Sequence, residues 1–198
     1  MKRAFDLFWA SVGLILLWPL FIAIGLSIKL EHPGAVFFRQ RRVGWRGVPF
    51  RMWKFRTMVV DAEQKGSTLT VGKDPRITRV GRWLRATKVD ELPQLLNVWV
   101  GEMSLVGPRP EVQKYVELYT EDQRRVLELR PGITDLASVK YRNESELLAA
   151  SEDPDRTYVE EVMPEKIQIN LEYAAQANLW KDIRVILLTL GLWPSRKG

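Results

Sequence analysis

The chain has 198 residues, a net charge of +6, no cysteine and one histidine, His32. That composition excludes a disulfide framework, a thiolate zinc site and a cysteine nucleophile, and a Ser-His-Asp triad would need His32, which sits in a His-Pro-Gly turn. Chemistry falls to carboxylates, Lys, Arg, Ser or Tyr, with or without a hard cation such as Mg²⁺, and the positive charge favours an anionic partner: nucleic acid, a phosphorylated substrate or lipid headgroups.

Eight tryptophans suit a membrane interface, and Trp9, Trp18, Trp180 and Trp193 lie in strongly apolar segments. Residues 7–28 carry no charge and are long enough to span a bilayer. Pro19 interrupts the run near its middle. Both flanks are basic, with Lys2 and Arg3 before it and Lys29, Arg39, Arg41, Arg42 and Arg46 after it. The excess of positive charge on cytoplasmic flanks puts both ends in the cytoplasm. The segment is therefore expected to enter the membrane, kink at Trp18-Pro19 and return.

Residues 35–40 and 48–55 are rich in aromatic and β-branched side chains. With Gly44-Trp45-Arg46-Gly47 between them they read as a β-hairpin. Lys54 and Arg56 bracket Phe55 near its end. Residues 61–72 read as a short helix and a loop. Arg79, Arg82 and Arg85 then recur every three residues, one stripe on a helix. Such a stripe binds phosphate oxygens through paired N–H groups; the same spacing also fits a solvated basic face.

Asp90-Glu91 precedes Leu92-Pro93, and Leu92, Leu95, Leu96 and Trp99 supply an apolar stripe at helical spacing. Pro93 suits a first helical turn. Asp90 at the helix start is either a capping carboxylate or a nucleophile or metal ligand beside arginines. Adjacent carboxylates cannot flank one glycosidic bond from opposite sides, which excludes a hydrolase acid/base pair. Residues 101–110 read as an irregular loop in which Pro108 and Pro110 stiffen Arg109. Thr120 to Gln123 is a capping box opening a helix that runs to Pro131-Gly132, followed by a short strand over 133–139. Asp153-Pro154-Asp155 reads as a helix start rather than a metal motif. Two helices follow from Arg156, the second starting at Pro164. Residues 178–193 form an interfacial amphipathic helix, and Arg196 and Lys197 suit an anionic leaflet.

The run DELPQLLNVWVGEMSLVGPRP, preceded by RITRVGRWLR and joined by KFRTM (residues 54–58) and RPGIT (residues 130–134), resembles the core of the monotopic phosphoglycosyl transferases, the small bacterial sugar transferases. The match runs in order to about Asn143. Two departures stand out: Trp18 occupies the place of the family's Ser before the kink proline, and Asp135-Leu136 that of its Gly-Trp after RPGIT. The length matches the family's minimal form, implying a stand-alone catalytic unit. The implied fold is α+β and helix-rich with one β-hairpin, a re-entrant membrane helix over 1–30, a catalytic domain over 31–198 and interfacial amphipathic helices.

The implied reaction moves a sugar 1-phosphate from a UDP-sugar to polyprenol phosphate, with UMP as the second product, at the first membrane step of glycoconjugate biosynthesis. Asp90 would be the nucleophile and Glu91 would assist with metal or proton transfer, both being candidate ligands of Mg²⁺. Lys54, Arg56, Arg82 and Arg85 would face the diphosphate, Pro108-Arg109-Pro110 the nucleotide, and Arg142 would belong to a following basic patch. Partners would be the UDP-sugar, polyprenol phosphate and the lipids of the bacterial inner membrane at its cytoplasmic face, with no nucleic acid; a homodimer is left open. The rival is a non-catalytic membrane-bound scaffold that binds anionic lipid or nucleic acid and uses the carboxylate pair only as a cap.

Overall fold

The computed structural model describes residues 1–62 and 74–193. The helix and loop expected over 61–72 fall almost wholly outside the described residues, as do Arg196 and Lys197.

Helix α1, Lys2–Glu31, is one long apolar element with Pro19 inside it. Asp6, Ala10, Ile24 and Ile28 are its buried positions, while Ile15, Leu16, Trp18, Ile22 and Leu26 are exposed. The apolar sequence covers all sides of the helix, but only one side has a protein partner. Polar groups tie both of its ends to the rest of the chain. At the start, Lys2 pairs with Asp182 at 2.5 Å and Arg3 donates to the carbonyls of Val98 and Trp99. Asp6 accepts from the Ser104 hydroxyl at 2.8 Å and the Leu105 amide at 3.1 Å. At the far end, Glu31 accepts from the amides of Arg79 and Val80 at 2.6 and 2.9 Å. These are otherwise orphan donors in the first turn of a helix.

Strands β1 (Phe37–Val43) and β2 (Pro49–Phe55) form the expected hairpin, with Phe37 opposite Phe55 and Val43 opposite Pro49. Arg46 in the connecting turn takes φ of 56°. Phe50 and Met52 point inward and pack with Ala10, Leu14, Leu17, Leu95 and Val98. Helix α2 (Arg79–Ala86), capped by the Thr78 hydroxyl, packs on the second half of α1 through Leu84 and Val80. Helix α3 (Gln94–Val100) packs between α1 and β2. Its buried Asn97 substitutes for a missing strand neighbour: the carboxamide accepts from Trp53 N at 2.9 Å and donates to Arg51 O at 3.0 Å. Each group so satisfied avoids a desolvation cost of about 1–3 kcal/mol.

The stretch 101–110, expected as irregular, contains strand β3 (Ser104–Val106), which pairs in parallel with β4 (Gly132–Thr134). A Cβ on Gly132 would lie 2.1 Å from the Gly107 amide nitrogen, so the crossing of these two segments requires glycine. Two short helices lie between the strands, α4 (Gln113–Val116) and α5 (Glu121–Arg124). The capping box at Thr120 and Gln123 is present, but the helix gives way to a 3₁₀ turn over Arg125–Glu128. The strand expected over 133–139 stops at Thr134, because the Asp135 carboxylate accepts from Ser138 N at 2.6 Å and starts helix α6 (Leu136–Lys140).

Helices α7 (Glu144–Ala149) and α8 (Pro154–Thr157) lead into a π-turn, Tyr158–Val162, then α9 (Met163–Ala175) and α10 (Leu179–Thr189). Pro164 falls in the first turn of α9, as the sequence implies; Asn178 caps α10, which ends at Thr189, short of the expected 193. Tyr115, Val116, Val126, Leu148, Tyr158 and Val162 form the core beneath these helices. On α10 and just beyond it, Trp180, Leu190, Leu192 and Trp193 are exposed. The architecture is α+β and helix-rich, with the hairpin and one further pair of short parallel strands.

Candidate active site

Lys88, with φ of 59°, reverses the chain after α2 and opens a 3₁₀ turn over Val89–Glu91. A non-glycine residue held in the left-handed region is uncommon, and such residues cluster at functional sites. The turn directs Glu91 toward the end of β2 and into the reach of Arg109. Lys54 Nζ donates to Glu91 Oε1 at 3.1 Å, and Arg109 forms a two-pronged pair with both Glu91 oxygens, one prong at 3.0 Å. Burial disfavours the Glu91 charge, but Arg109 and then Lys54 outweigh it and hold the carboxyl well below the usual range. Glu91 in turn raises the Arg109 guanidinium above its ordinary value. Burial pulls the Lys54 ammonium down to about 8 against the opposing charge of Glu91.

Asp90 is different. It is 7% exposed, and its carboxylate makes no hydrogen bond among the described residues. Burial, then the charge of Glu91, push its carboxyl above the ordinary aspartate range, against Lys54, Arg85 and Arg109. The two neighbours in sequence thus have opposite environments: Glu91 is the counter-ion of two buried cations, and Asp90 keeps free lone pairs beside them.

The loop carrying Arg109 is fixed from three sides. Pro108 O accepts from Gly132 N at 3.0 Å, Arg109 N donates to Asp135 at 3.0 Å, and Pro110 O accepts from Arg42 at 3.1 Å. Arg42 also pairs with Glu111 at 3.1 Å, and Glu111 accepts from the Tyr158 hydroxyl.

Of the residues singled out from sequence, Lys54, Asp90, Glu91 and Arg109 come together, with Pro108 and Pro110 framing Arg109. Arg85 turns inward, donates to the Thr57 hydroxyl at 2.9 Å and is felt by Asp90. Arg82 is exposed on the outer face of α2. Arg56 donates to the carbonyls of His32 and Pro33 at 2.7 and 2.9 Å, fastening the end of α1. Arg142 donates to the Leu188 carbonyl at 3.0 Å, at the last turn of α10. Trp18 and Pro19 are exposed on α1. Arg42, Asp135 and Asn97 were not anticipated as parts of the site. The parity of Arg42 with the inward Phe50 across the hairpin was the available signal. Among the described residues no three His, Asp or Glu side chains gather as a metal cluster.

A model of the bacterial sugar transferase family matches residues 1–195. The chain is 38% identical over 198 residues to the UDP-glucose:undecaprenyl-phosphate glucose-1-phosphate transferase of Escherichia coli (strain K12), covering 96% of this chain and 39% of that protein. It is 41% identical over 194 residues to the protein of the same name from Xanthomonas campestris pv. campestris, covering 95% of this chain and 37% of that one. It is 36% identical over 195 residues to the UDP-N-acetylgalactosamine-undecaprenyl-phosphate N-acetylgalactosaminephosphotransferase of Aeromonas hydrophila, covering 96% of this chain and 43% of that one. The chain belongs to the bacterial sugar transferase family. It spans about two fifths of the length of these relatives.

Proposed function

We propose that the chain transfers a sugar 1-phosphate from a UDP-sugar to a polyprenol phosphate at the membrane surface. The observation that carries this reading is the buried, unpaired Asp90 beside a Glu91 that is fully engaged by Lys54 and Arg109. A diphosphate repels an attacking carboxylate, and the three cations Lys54, Arg85 and Arg109 offset that repulsion. Asp90 attacks the β-phosphorus, forming an acyl-phosphate bond as the bond from that phosphorus to the α-phosphate oxygen breaks, and UMP leaves. A phosphate oxygen of the lipid then attacks the same phosphorus, displacing Asp90 and giving polyprenol-diphosphate-sugar. Glu91 holds the two cations in place and takes no part in bond making.

Mg²⁺ fits the donor set if Asp90 is its protein ligand and the substrate diphosphate and water complete the shell, since this ion commonly keeps one or two carboxylates beside phosphate oxygens. Glu91, with both oxygens on cations, is the poorer ligand. When bound, the ion would supply charge neutralisation at the diphosphate. The direct test is release of UMP from a UDP-sugar by detergent-purified protein given polyprenol phosphate. A chain that binds lipid but releases no UMP from a panel of UDP-sugars is the scaffold instead.

The pH dependence follows from the two shifted groups. Asp90 must lose its proton to attack, so kcat/KM rises with pH through a value above the ordinary aspartate range. Lys54 must keep its proton, so activity falls as pH passes about 8. Lys54→Arg moves the alkaline limb upward, because a guanidinium stays charged there. An unchanged alkaline limb in that variant removes Lys54 from the donor site.

Membrane placement rests on the ties at both ends of α1. Lys2, Arg3 and Asp6 bind the same domain as Glu31, so an α1 whose ends faced opposite sides of a bilayer would have to break one set. Each Lys or Arg at the bilayer centre costs about 2.5–3.5 kcal/mol on insertion scales. Both ends therefore stay on the cytoplasmic side, with the exposed apolar side in lipid. Cysteines placed singly at the exposed Ala4 and Lys29 should both resist a membrane-impermeant thiol reagent in intact cells and react after lysis. Labelling of position 4 in intact cells would make α1 an ordinary span. Pro19→Leu, which restores an unbroken spanning sequence, should expose position 4 in part of the population.

A further inference from the structure

Helix α3 begins with Gln94, which is fully buried, and neither polar atom of its carboxamide has a hydrogen-bond partner among the described residues. Such a group is rare inside a protein and calls for an explanation. Asn97, one turn further on, shows what a structural carboxamide does here: it bonds to Trp53 N, Arg51 O and the Glu102 carboxylate. Gln94 fastens nothing in this way, and packing alone would favour an apolar side chain of the same length.

Its place in the fold says what it serves. Leu92 and Pro93 keep right-handed helical backbone angles between the 3₁₀ turn of Asp90 and α3, and Leu95 N and Leu96 N bond back to Leu92 O and Pro93 O at 3.0 Å. The turn thus runs into the helix without a break, so residues three and four apart share a side. Gln94 is four residues after Asp90, three after Glu91 and three before Asn97. Glu91 reaches Lys54, and Asn97 reaches the backbone of Arg51 and Trp53, so this side faces β2. Lys54 has the strand parity of Phe50 and Met52, which pack in one cluster with Leu95 and Val98 of α3. Gln94 therefore sits where the carboxylate turn meets the Lys54 end of β2.

We infer that Gln94 is a positioning residue for the attack on phosphorus: in the reacting arrangement its NH₂ donates to the Asp90 carboxylate and its carbonyl oxygen accepts from the Lys54 ammonium. The inference rests on the reading of the chain as a sugar 1-phosphate transferase with Asp90 as nucleophile. Asp90 makes no hydrogen bond among the described residues, so it has acceptor capacity to spare. Lys54 spends one N–H on Glu91 and an ammonium has three, so it has donors to spare. A carboxamide supplies one donor group and one acceptor, and it brings no charge into a cluster where Glu91 already offsets the cations. A carboxylate at the same place would repel Asp90, and a cation would pair with it and blunt its attack. The bonds would fix the Asp90 side chain at one angle, and a nucleophile displaced by about 1 Å can lose on the order of 10²-fold in rate.

The test compares the detergent-purified parent with Gln94→Met and Gln94→Glu. Met keeps the length and removes both polar groups; Glu keeps the shape, loses the donor and adds a charge. With the lipid acceptor withheld, the burst of UMP from a UDP-sugar reports the attack of Asp90 alone. Its rate should fall about 10- to 100-fold in Gln94→Met and further in Gln94→Glu. The UDP-sugar concentration that half-saturates the burst should move less than about threefold, the signature of an interaction that matters only in the transition state. Gln94→Met should melt no lower than the parent, because it removes two unpartnered buried groups. A Gln94→Met burst as fast as the parent's overturns the positioning role while leaving the transferase reading intact. So does a loss of saturation at an unchanged burst rate, which would make Gln94 a substrate contact, and so does a marked fall in the melting point of Gln94→Met, which would make it a structural residue. A parent that releases no UMP from any UDP-sugar overturns the transferase reading itself, and this inference with it.

Discussion

Asp90→Asn is expected to lower turnover by at least about 10³-fold, the scale at which covalent nucleophiles are lost, while the protein stays folded. An amide cannot attack phosphorus, and it matches the carboxylate in shape. The same change should not destabilise the protein at neutral pH. The Asp90 carboxyl lies above its ordinary value, so the native state holds that proton more tightly than the unfolded chain does. The stability this provides is complete below the unfolded value of about 3.9 and disappears as pH rises through the native value. At pH 7 the ionised group is a burden that Asn lacks. The melting temperature of Asp90→Asn should therefore exceed that of the parent at pH 7, with the gap closing toward pH 4. Near-parental turnover in this variant would end the nucleophile assignment, whatever its stability.

Glu91→Gln should behave in the opposite way. Glu91 offsets two buried cations, and removing one partner of a buried ion pair costs about 3–5 kcal/mol. For a chain of this size that is a fall in melting temperature of roughly 6–20 °C. Because the Glu91 carboxyl is held well below its ordinary value, its contribution is present above the unfolded value of about 4.3 and is lost only as pH drops through the low native value. The defect in Glu91→Gln should therefore persist across neutral pH and shrink only under strongly acidic conditions. Thermal melts of both variants between pH 3 and 8, read beside UMP release, separate the roles of two residues adjacent in sequence. Equal stability loss in both would mean that the division of labour is wrong.

The long elements were legible because each carries its own pattern. The uncharged run of α1, the aromatic hairpin, and Thr120 with Gln123 all announce themselves within a few residues. The pairing of β3 with β4 did not, because each strand has only three residues and their partnership depends on two glycines 25 positions apart. Lys54, Asp90, Glu91 and Arg109, named from their motifs, lie together in the fold. The arginine stripe, open between phosphate binding and a solvated face, divides: Arg85 turns inward while Arg82 faces solvent. Arg42 looked like a flanking charge and is a buried strut behind the Arg109 loop. Arg56 and Arg142 looked like substrate ligands, and their guanidinium groups rest on backbone carbonyls of their own chain. Guanidinium groups serve carbonyls as readily as phosphates, and only the tertiary fold says which. Asp135 was noted as a departure from the family pattern, and its caps on α6 and on Arg109 N appear only when β4 is laid beside β3.

The ties at the two ends of α1 also set an order of assembly. Glu31 meets its partners, the amides of Arg79 and Val80, after about 50 further residues have been made. Asp6 must wait for Ser104 and Leu105, and Lys2 for Asp182, 180 positions later in the chain. The start of α1 is thus secured later than its end. During synthesis α1 is held first at its C-terminal end and gains its last tie at the start only when α10 is made. Contacts this distant in sequence are slow to form. A chain cut short before α10 would have its hairpin and its carboxylate turn, with the start of α1 held by Arg3 and Asp6 but without the Lys2–Asp182 pair.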